Sequence, residues 1–414
     1  MKQAQHNGRQ TRKKKSTNDK GYGGKPNVLL ATALRIFLWF WFLRFHPVYD
    51  KKAIKGIKGP CILLVNHPSS IDAFIIGRGM NPMRTNFVAS QYFFRFPLLR
   101  YLLKKMGAIP KSHSQKDIHS LRLMMKSIAS GRILVVFPEG RRTMDGTGSR
   151  FSEAMAKLAK KTKATVLSAN ITGPYLAWPR WAEKPRPGKV SVSFGIVCKP
   201  EDYEQLSVND IHERMHHSIR FNEFEQNKMD QRHYRCKEPA RNMEWLLHFC
   251  PSCKKSDAMN GHKDTITCRF CGASAQMTDT GELVQLSEGK CVFSDIPTWF
   301  KQQREQLTED MKASDFCITA EVAKASQAPD PEEPMAVMGS GTITLNKENL
   351  IFSLHSKNES QSMSFPIRLM DMLPVYLGRY FEICDDDGIF WQFQLAEGRK
   401  VIQFEQFADI CLYG

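Results

Sequence analysis

The sequence predicts an α/β protein: a layered, largely parallel sheet with helices, followed by a small cysteine-rich segment and a β-rich C-terminal domain. Three observations carry this. Two apolar runs of strand length, Cys61–Val65 and Ile133–Val136, are separated by a helical pattern over 118–130, the alternation that builds parallel sheets. Two C-x-x-C pairs stand close together at 250–253 and 268–271. The last hundred residues switch to a period of two, the mark of half-buried strands. With 414 residues, the chain has room for two or three domains at roughly 100–200 residues each.

Taken in order, residues 1–26 are polar, basic and rich in Gly, Lys and Asn, which predicts a disordered tail. Residues 28–43 are apolar apart from Thr32 and Arg35 and include Phe37, Trp39, Phe40, Trp41 and Phe42. As a helix this stretch measures about 24 Å at ~1.5 Å per residue, short of a hydrocarbon core of about 30 Å, and Arg35 sits in its middle. It reads as an interfacial helix over 27–46, lying in or entering one leaflet, with its tryptophans at headgroup level. A signal peptide would need a small-residue cleavage site, and Arg44-Phe45-His46-Pro47 follows instead; a buried core helix is the bland alternative.

Further strands are expected at 165–171 and 189–197, with a helix at 151–161 and a polar helical stretch at 208–237 closing a domain that spans 27–240. The cysteine-rich segment takes 241–290. Ala328-Pro329-Asp330-Pro331-Glu332-Glu333-Pro334 reads as an insertion, because repeated Pro and acid resist regular structure. In the β-rich domain, 310–414, alternation at Ile343/Leu345 and Leu350/Phe352/Leu354 gives strands. Asp387-Gly388 gives a tight turn before Trp391/Phe393/Leu395, and Val401, Phe404, Ala408 and Cys411 share one helical face. Several strands capped by a final helix resemble a PH-like or GRAM-like barrel.

The formal charge of +17 is unevenly spread: residues 1–273 carry 48 basic and 20 acidic groups, whereas 274–414 carry 11 and 22. A basic half implies an anionic partner. No RNA-binding aromatic motif or DNA-recognition helix accompanies it, so nucleic acid is excluded in favour of anionic membrane lipid, with Arg9, Arg12, Lys13, Lys14, Lys15, Lys20 and Lys25 beside the apolar stretch on the cytoplasmic side. The acidic half is expected to face water or a protein partner. Eleven cysteines, four of them in two C-x-x-C pairs, fit reduced thiols and metal rather than a disulfide framework.

Two motifs carry the chemistry. Asn66-His67-Pro68-Ser69-Ser70-Ile71-Asp72 places an imidazole and a carboxylate five positions apart behind the first strand run. Phe137-Pro138-Glu139-Gly140-Arg141-Arg142-Thr143 places a carboxylate and two guanidinium groups on a turn behind the second. A base with its orienting acid, beside a cationic seat for phosphate, points to proton removal from a hydroxyl on a phosphorylated substrate. Read singly, Ser69-x-x-Asp72 is equally a helix capping box, and His67 a structural histidine.

As an ordered pair, N-H-x4-D and F-P-E-G-x-R-[ST] resemble the glycerolipid acyltransferase family, which includes the lysophosphatidate acyltransferases; the resemblance covers about 28–230. Gly107-Ala108-Ile109-Pro110-Lys111 stands where the family has a block leading to an arginine, leaving Lys111 or His113 as the cation. Val166-Leu167-Ser168 stands where the family has a V-P block. The resemblance implies His67 and Asp72 as catalytic residues. It implies Asn66, Lys111, Glu139, Gly140 and Arg142 as substrate-binding residues, with Arg142 on the phosphate. Arg141 replaces a small or polar residue and reads as solvated. The implied activity is transfer of a fatty acyl group from acyl-CoA or acyl-carrier protein to 1-acyl-sn-glycerol-3-phosphate, without a catalytic cofactor. Another lyso-lipid or glycerol-3-phosphate is the alternative acceptor. A membrane-docked zinc-ribbon adaptor with a vestigial site is the alternative class.

Cys250, Cys253, Cys268 and Cys271 form C-x2-C-x14-C-x2-C, close to common four-thiolate zinc spacing. A site with all four positions filled by thiolates has no place for water, so the expected Zn²⁺ is structural. A redox dithiol is the alternative, and His248 and His262 are nearby bystanders.

Overall fold

The computed structural model describes residues 21–111, 117–287, 295–329, 333–355, 361–370 and 372–414. Most of the basic tail, His113 and the centre of the Pro-rich insertion therefore lie outside the described residues. Residues 21–26 correct the expected tail. Tyr22 is buried, the Gly23 N–H donates to the Gly107 carbonyl at 3.1 Å, and the Gly24 carbonyl accepts from Asn86 Nδ2 at 2.9 Å.

The first unit contains α1 (Val28–Trp41), β1 (Val48–Asp50), β2 (Cys61–Val65), α2 (Asp72–Gly79), β3 (Thr85–Ser90), α3 (Pro97–Lys105), β4 (Ile109–Lys111), α4 (Ile118–Ala129), β5 (Ile133–Val136), α5 (Ala154–Thr162), β6 (Thr165–Thr172), α6 (Pro174–Ala177), β7 (Ser191–Cys198), α7 (Val208–Ser218) and α8 (Glu223–Asp230). Its seven strands run β1-β7-β6-β2-β5-β3-β4. β6, β2, β5, β3 and β4 are mutually parallel; β7 opposes β6 and pairs in parallel with β1. Every residue of β2 and β5 is buried, as central strands covered on both faces require. One core, including Leu63, Val65, Val135 and Ile171, lies on one side of this sheet; another, including Ile62, Leu64, Leu134, Val136 and Val166, lies on the other.

α1 begins where Asn27 Oδ1 accepts the Leu30 N–H at 3.0 Å. Ala31 and Leu38 are buried, but Leu29 is 81%, Phe37 59%, Trp39 52% and Phe40 61% exposed. The helix is apolar apart from Thr32 and Arg35, and packing against α2 covers only one stripe of it. Leu98 and Tyr101 of α3, with Phe93 and Phe96 before it, are also exposed. Among the described residues no helix is long and apolar enough to cross a membrane.

The cysteine-rich segment is a four-stranded antiparallel sheet of β8 (Met259–His262), β9 (Thr265–Cys268), β10 (Ser274–Met277) and β11 (Leu283–Gln285). α9 (Ile296–Asp310) follows, in a stretch to which the sequence reading assigned nothing. It is anchored by Trp299, fully buried, whose Nε1 donates to the Phe249 carbonyl at 2.7 Å.

The C-terminal unit comprises β12 (Ile318–Ala328), β13 (Ala336–Leu345), β14 (Asn349–Leu354), β15 (Gln361–Pro366), β16 (Val375–Tyr376), β17 (Tyr380–Cys384), β18 (Phe390–Leu395) and α10 (Val401–Tyr413). The strands are all antiparallel, in the order β15-β14-β13-β12-β18-β17-β16. The turn into β18 is organised by Asp385, whose Oδ1 accepts the N–H groups of Asp387 at 3.1 Å and Ile389 at 2.8 Å, while Gly388 takes φ 79°. Val401, Phe404 and Ala408 of α10 close the core of this sheet, with Cys411 packed at its edge. Its opposite side is buried as well, at Gln403, Glu405 and Gln406, because it docks on the rest of the chain.

Candidate active site

β2 and β5 pair in parallel with Leu64 opposite Val136, so both leave the sheet at one level and their next residues meet. His67 stacks on Phe137, ring centroids 4.3 Å apart. Glu139, buried, accepts the His67 N–H at 3.1 Å through one oxygen and the Ser149 N–H at 2.9 Å through the other. The Thr143 N–H returns a bond to the His67 carbonyl at 3.0 Å. The two motifs are thus one structure, laced through backbone groups. Gly140 holds φ 71° in the turn where its N–H reaches the Phe137 carbonyl, a conformation that favours glycine.

Asp72 opens α2, and its Oδ2 lies 2.8 Å from His67 Nδ1 while accepting the Ser69 N–H at 2.8 Å. The carboxylate therefore takes the Ser69 N–H, as the bland reading expects, and also engages the ring, but Ile71 is the N-cap and the reciprocal bond of a capping box is not made. An oxygen already accepting an N–H is best served by Nδ1–H, which leaves Nε2 as the free base. Burial, and next the positive fields of Arg142 and Arg180, hold the His67 pKa down to about 3. Burial raises that of Asp72, against the Ser69 N–H and the field of Arg142. The resting imidazole is neutral, as a general base must be. Burial raises Glu139 to about 7, against its two backbone donors.

Arg142 reaches the same loop, Nη1 donating to Ser70 Oγ. Burial lowers its pKa, opposed by the fields of Tyr376, Asp72 and Tyr380. His67, Asp72, Glu139, Gly140 and Arg142 are therefore gathered at the carboxyl ends of β2 and β5, where open α/β sheets place ligands.

Three residues sit apart from this group, and for Arg141 the expectation is corrected. Asn66 is fully buried, donating to the Ile171 carbonyl at 2.9 Å and accepting the Ile171 N–H at 2.7 Å. It clamps the end of β2 to β6 and positions the loop that carries His67. Lys111 lies at the same end of the sheet but on edge strand β4, two strands from β5, with Nζ 3.7 Å from Asp117. Arg141 is not solvated: it grips Glu405 at 2.5 Å and Asp409 at 2.8 Å on α10. Burial lowers its pKa, but those two carboxylates more than reverse this.

Arg180 escaped the sequence reading, since a lone arginine in the loop Trp178-Pro179-Arg180-Trp181 matches no spacing rule. So did the hairpin β16–β17, which belongs to another unit 200 residues away in sequence.

The four cysteines form a separate cluster, their Sγ atoms all within 4.8 Å of one another. Cys250–Cys271 and Cys253–Cys268 are 3.7 Å apart, bringing thiols together across the pairs rather than within either C-x-x-C. A tetrahedral tetrathiolate with bonds of about 2.3 Å needs sulfur–sulfur separations of about 3.8 Å, so the residues present fit a metal. His248 and His262 do not belong to the cluster.

Residues 46–172 match the family model described as Acyltransferase. The chain is 27% identical over 158 residues to a 1-acyl-sn-glycerol-3-phosphate acyltransferase of Cocos nucifera, an alignment covering 37% of this chain and 51% of the relative. It is 24% identical over 186 residues to the protein of that name from Bacillus subtilis (strain 168), covering 44% and 89%. Among solved structures, the 1-acyl-sn-glycerophosphate (LPA) acyltransferase PlsC from Thermotoga maritima aligns with a TM-score of 0.40 at 21% identity, covering 46% and 76%. The chain spans about half the length of the plant relatives it matches. Residues 46–172 thus form an acyltransferase domain similar to those of the 1-acyl-sn-glycerol-3-phosphate acyltransferases.

The site geometry predicts a neutral, Nδ1-protonated His67. Nitrogen-15 NMR of the imidazoles should find that tautomer at pH 7, with no protonation through the range near pH 6.5 where exposed histidines titrate. Because Arg142 contributes to the depression, Arg142→Gln should move the His67 midpoint upward; a midpoint near 6.5 in the wild type would refute the buried neutral base.

Proposed function

We propose that the protein is a membrane-associated O-acyltransferase that moves a fatty acyl group from acyl-CoA or acyl-carrier protein to 1-acyl-sn-glycerol-3-phosphate, giving phosphatidic acid. The observation that carries this is the His67–Asp72 contact held beside Arg142 by Glu139. In the reaction, Nε2 of His67 takes the proton of the acceptor hydroxyl as its oxygen bonds to the thioester carbon. Asp72 keeps the proton on Nδ1 and favours the imidazolium that forms. Collapse of the tetrahedral intermediate breaks the carbon–sulfur bond, and the imidazolium returns the proton to the departing thiolate. Arg142 holds the acceptor phosphate. Relatives named 1-acyl-sn-glycerol-3-phosphate acyltransferase support this acceptor; glycerol-3-phosphate and other lyso-lipids are the competing acceptors.

The exposed apolar side of α1, beside the exposed Tyr101 of α3, supports docking of this face in one leaflet, facing the cytoplasm with the basic N-terminal region on anionic lipid. The sulfur geometry supports structural Zn²⁺ on Cys250, Cys253, Cys268 and Cys271. Four thiolates would saturate it, and no step of acyl transfer passes through it. The strand order and capping helix of residues 310–414 support a PH-like barrel.

With acyl-CoA and a panel of lyso-acceptors, His67→Ala should lose about 10²–10⁴ in kcat while keeping its fold. Arg142→Ala should raise the KM for the phosphorylated acceptor about 10–100-fold, the weight of hydrogen bonds to a charged group, and leave the donor KM near its original value. A wild type that acylates no member of the panel ends this reading. On vesicles of phosphatidylcholine with anionic lipid, the triple change Phe37→Ser, Trp39→Ser, Phe40→Ser should abolish co-sedimentation; undiminished binding would remove α1 as the anchor. Metal analysis of protein purified under reducing conditions should find one zinc per chain, and chelation should lower the melting temperature; metal-free protein of unchanged stability would exclude the metal.

A further inference from the structure

The family motif supplies one free guanidinium at the site, but the fold delivers a second. Arg180 lies in the loop after α6, which is tied to the His67–Asp72 turn where Ser69 Oγ donates to the Trp178 carbonyl at 3.4 Å. The adjacent Ser70 hydroxyl receives Arg142. Arg180 Nη2 donates to the Val375 carbonyl of β16 at 3.1 Å, and its Nε is buried with no partner. Burial, and next the field of Arg142, lowers its pKa to about 9. Both arginines also act on His67.

The charges around them do not balance. Arg141 and Arg304 are matched by Glu405 and Asp409. Among the described residues no carboxylate comes within ion-pair distance of Arg142 or Arg180, and Asp72 is already engaged by His67 and Ser69. Two neighbouring cations withdrawn from water repel and lose hydration. An anion placed between them would relieve both costs.

The C-terminal unit covers this place. A Cβ on Gly140 would lie 3.3 Å from Met372 Cε. Tyr376 and Tyr380 stack at 5.3 Å, with fields that reach Arg142. Tyr380 Oη is 3.3 Å from Tyr92 Oη, and Arg95 lies 3.8 Å from Glu382. The hairpin β16–β17 therefore bridges both flanks of the site.

We propose that Arg180, held by the β16–β17 hairpin, is a second phosphate-binding residue, so that the acceptor pocket is shared between the acyltransferase domain and the C-terminal unit and selects phosphate monoesters. A monoester approaches two negative charges at pH 7, its second pKa being about 6, and two guanidinium groups match it. A phosphodiester lyso-lipid offers one charge and a headgroup that the roof of Met372 and Tyr376 obstructs. The proposal rests on the acyl-transfer reading above, although anion binding can be measured without turnover.

Arg180→Gln and Arg180→Lys should be compared with wild type on 1-acylglycerol-3-phosphate, 1-acylglycerol and 1-acylglycerol-3-phosphocholine, with inorganic phosphate as competitor. Arg180→Gln should raise the KM for the monoester about 10–100-fold with the donor KM unchanged. It should weaken phosphate inhibition by a similar factor and narrow the preference over the other two acceptors, and Arg180→Lys should recover part of each. Equal effects on 1-acylglycerol, or unaltered phosphate inhibition, would reduce Arg180 to a prop for the hairpin and overturn the proposal. Calorimetric titration of inorganic phosphate into wild type and Arg180→Gln separates the two failures. A wild type that binds phosphate through Arg180 but acylates nothing sinks only the acyl-transfer reading, whereas equal affinity in both proteins sinks the second phosphate site.

Discussion

The site depends on the buried carboxylate of Glu139 bonding backbone donors from two separate loops, His67 N–H and Ser149 N–H. β2 and β5 deliver their motifs to one level, but parallel strands alone leave the following loops free to splay. Glu139 closes them on one another, and Asn66 does the same toward β6 through Ile171. Each uses both ends of its polar group on backbone, which fixes the position of the loop it spans. Glu139 and Asn66 of the motifs thus form the frame that aims the imidazole.

That frame explains what could be read from the sequence. Strand-length apolar runs ending in Asn66 and Phe137 located β2, β5 and the pair of motifs, because a buried parallel strand must be continuously apolar and its carboxyl end is where chemistry collects. The Cys spacing located the thiol cluster for a comparable reason: four ligands to one point demand two tight turns. β1, β3 and β4 were missed. They are edge strands or strands beside an edge, with exposed or half-buried positions that break the apolar run. α2 was hidden because eight residues hold too few turns for a periodic signal.

Arg141 and Arg180 mark a different limit. Their roles come from contacts 264 and 195 residues away, and no local pattern in the loops containing them encodes such partners. The same is true of α10. Its apolar stripe at Val401, Phe404 and Ala408 was legible, but Glu405 and Asp409 looked like an ordinary solvated side until the first unit supplied Arg141 and α9 supplied Arg304. The charge asymmetry of the sequence therefore has an internal component. Part of the acidic C-terminal unit is spent against a cation of the basic half, Arg141, beside the candidate site.

The thiol segment determines how firmly that arrangement is held. Its Trp245 fills the space beside Gly378, the turn between β16 and β17, so closely that a Cβ there would lie 2.2 Å from the indole. Gln403 of α10 donates to Asp257 at 2.5 Å, and Gln303 of α9 donates to the Leu246 carbonyl at 2.9 Å. The small sheet is wedged between the two larger units and touches the hairpin that reaches Arg180. The segment shares the core of the first unit through Leu246, Met259, Ile266 and Met277, and a metal on the four thiols would add a cross-link to that packing. Trp245 against Gly378, and Val375 against Arg180, make a continuous chain of contacts from this segment to that guanidinium.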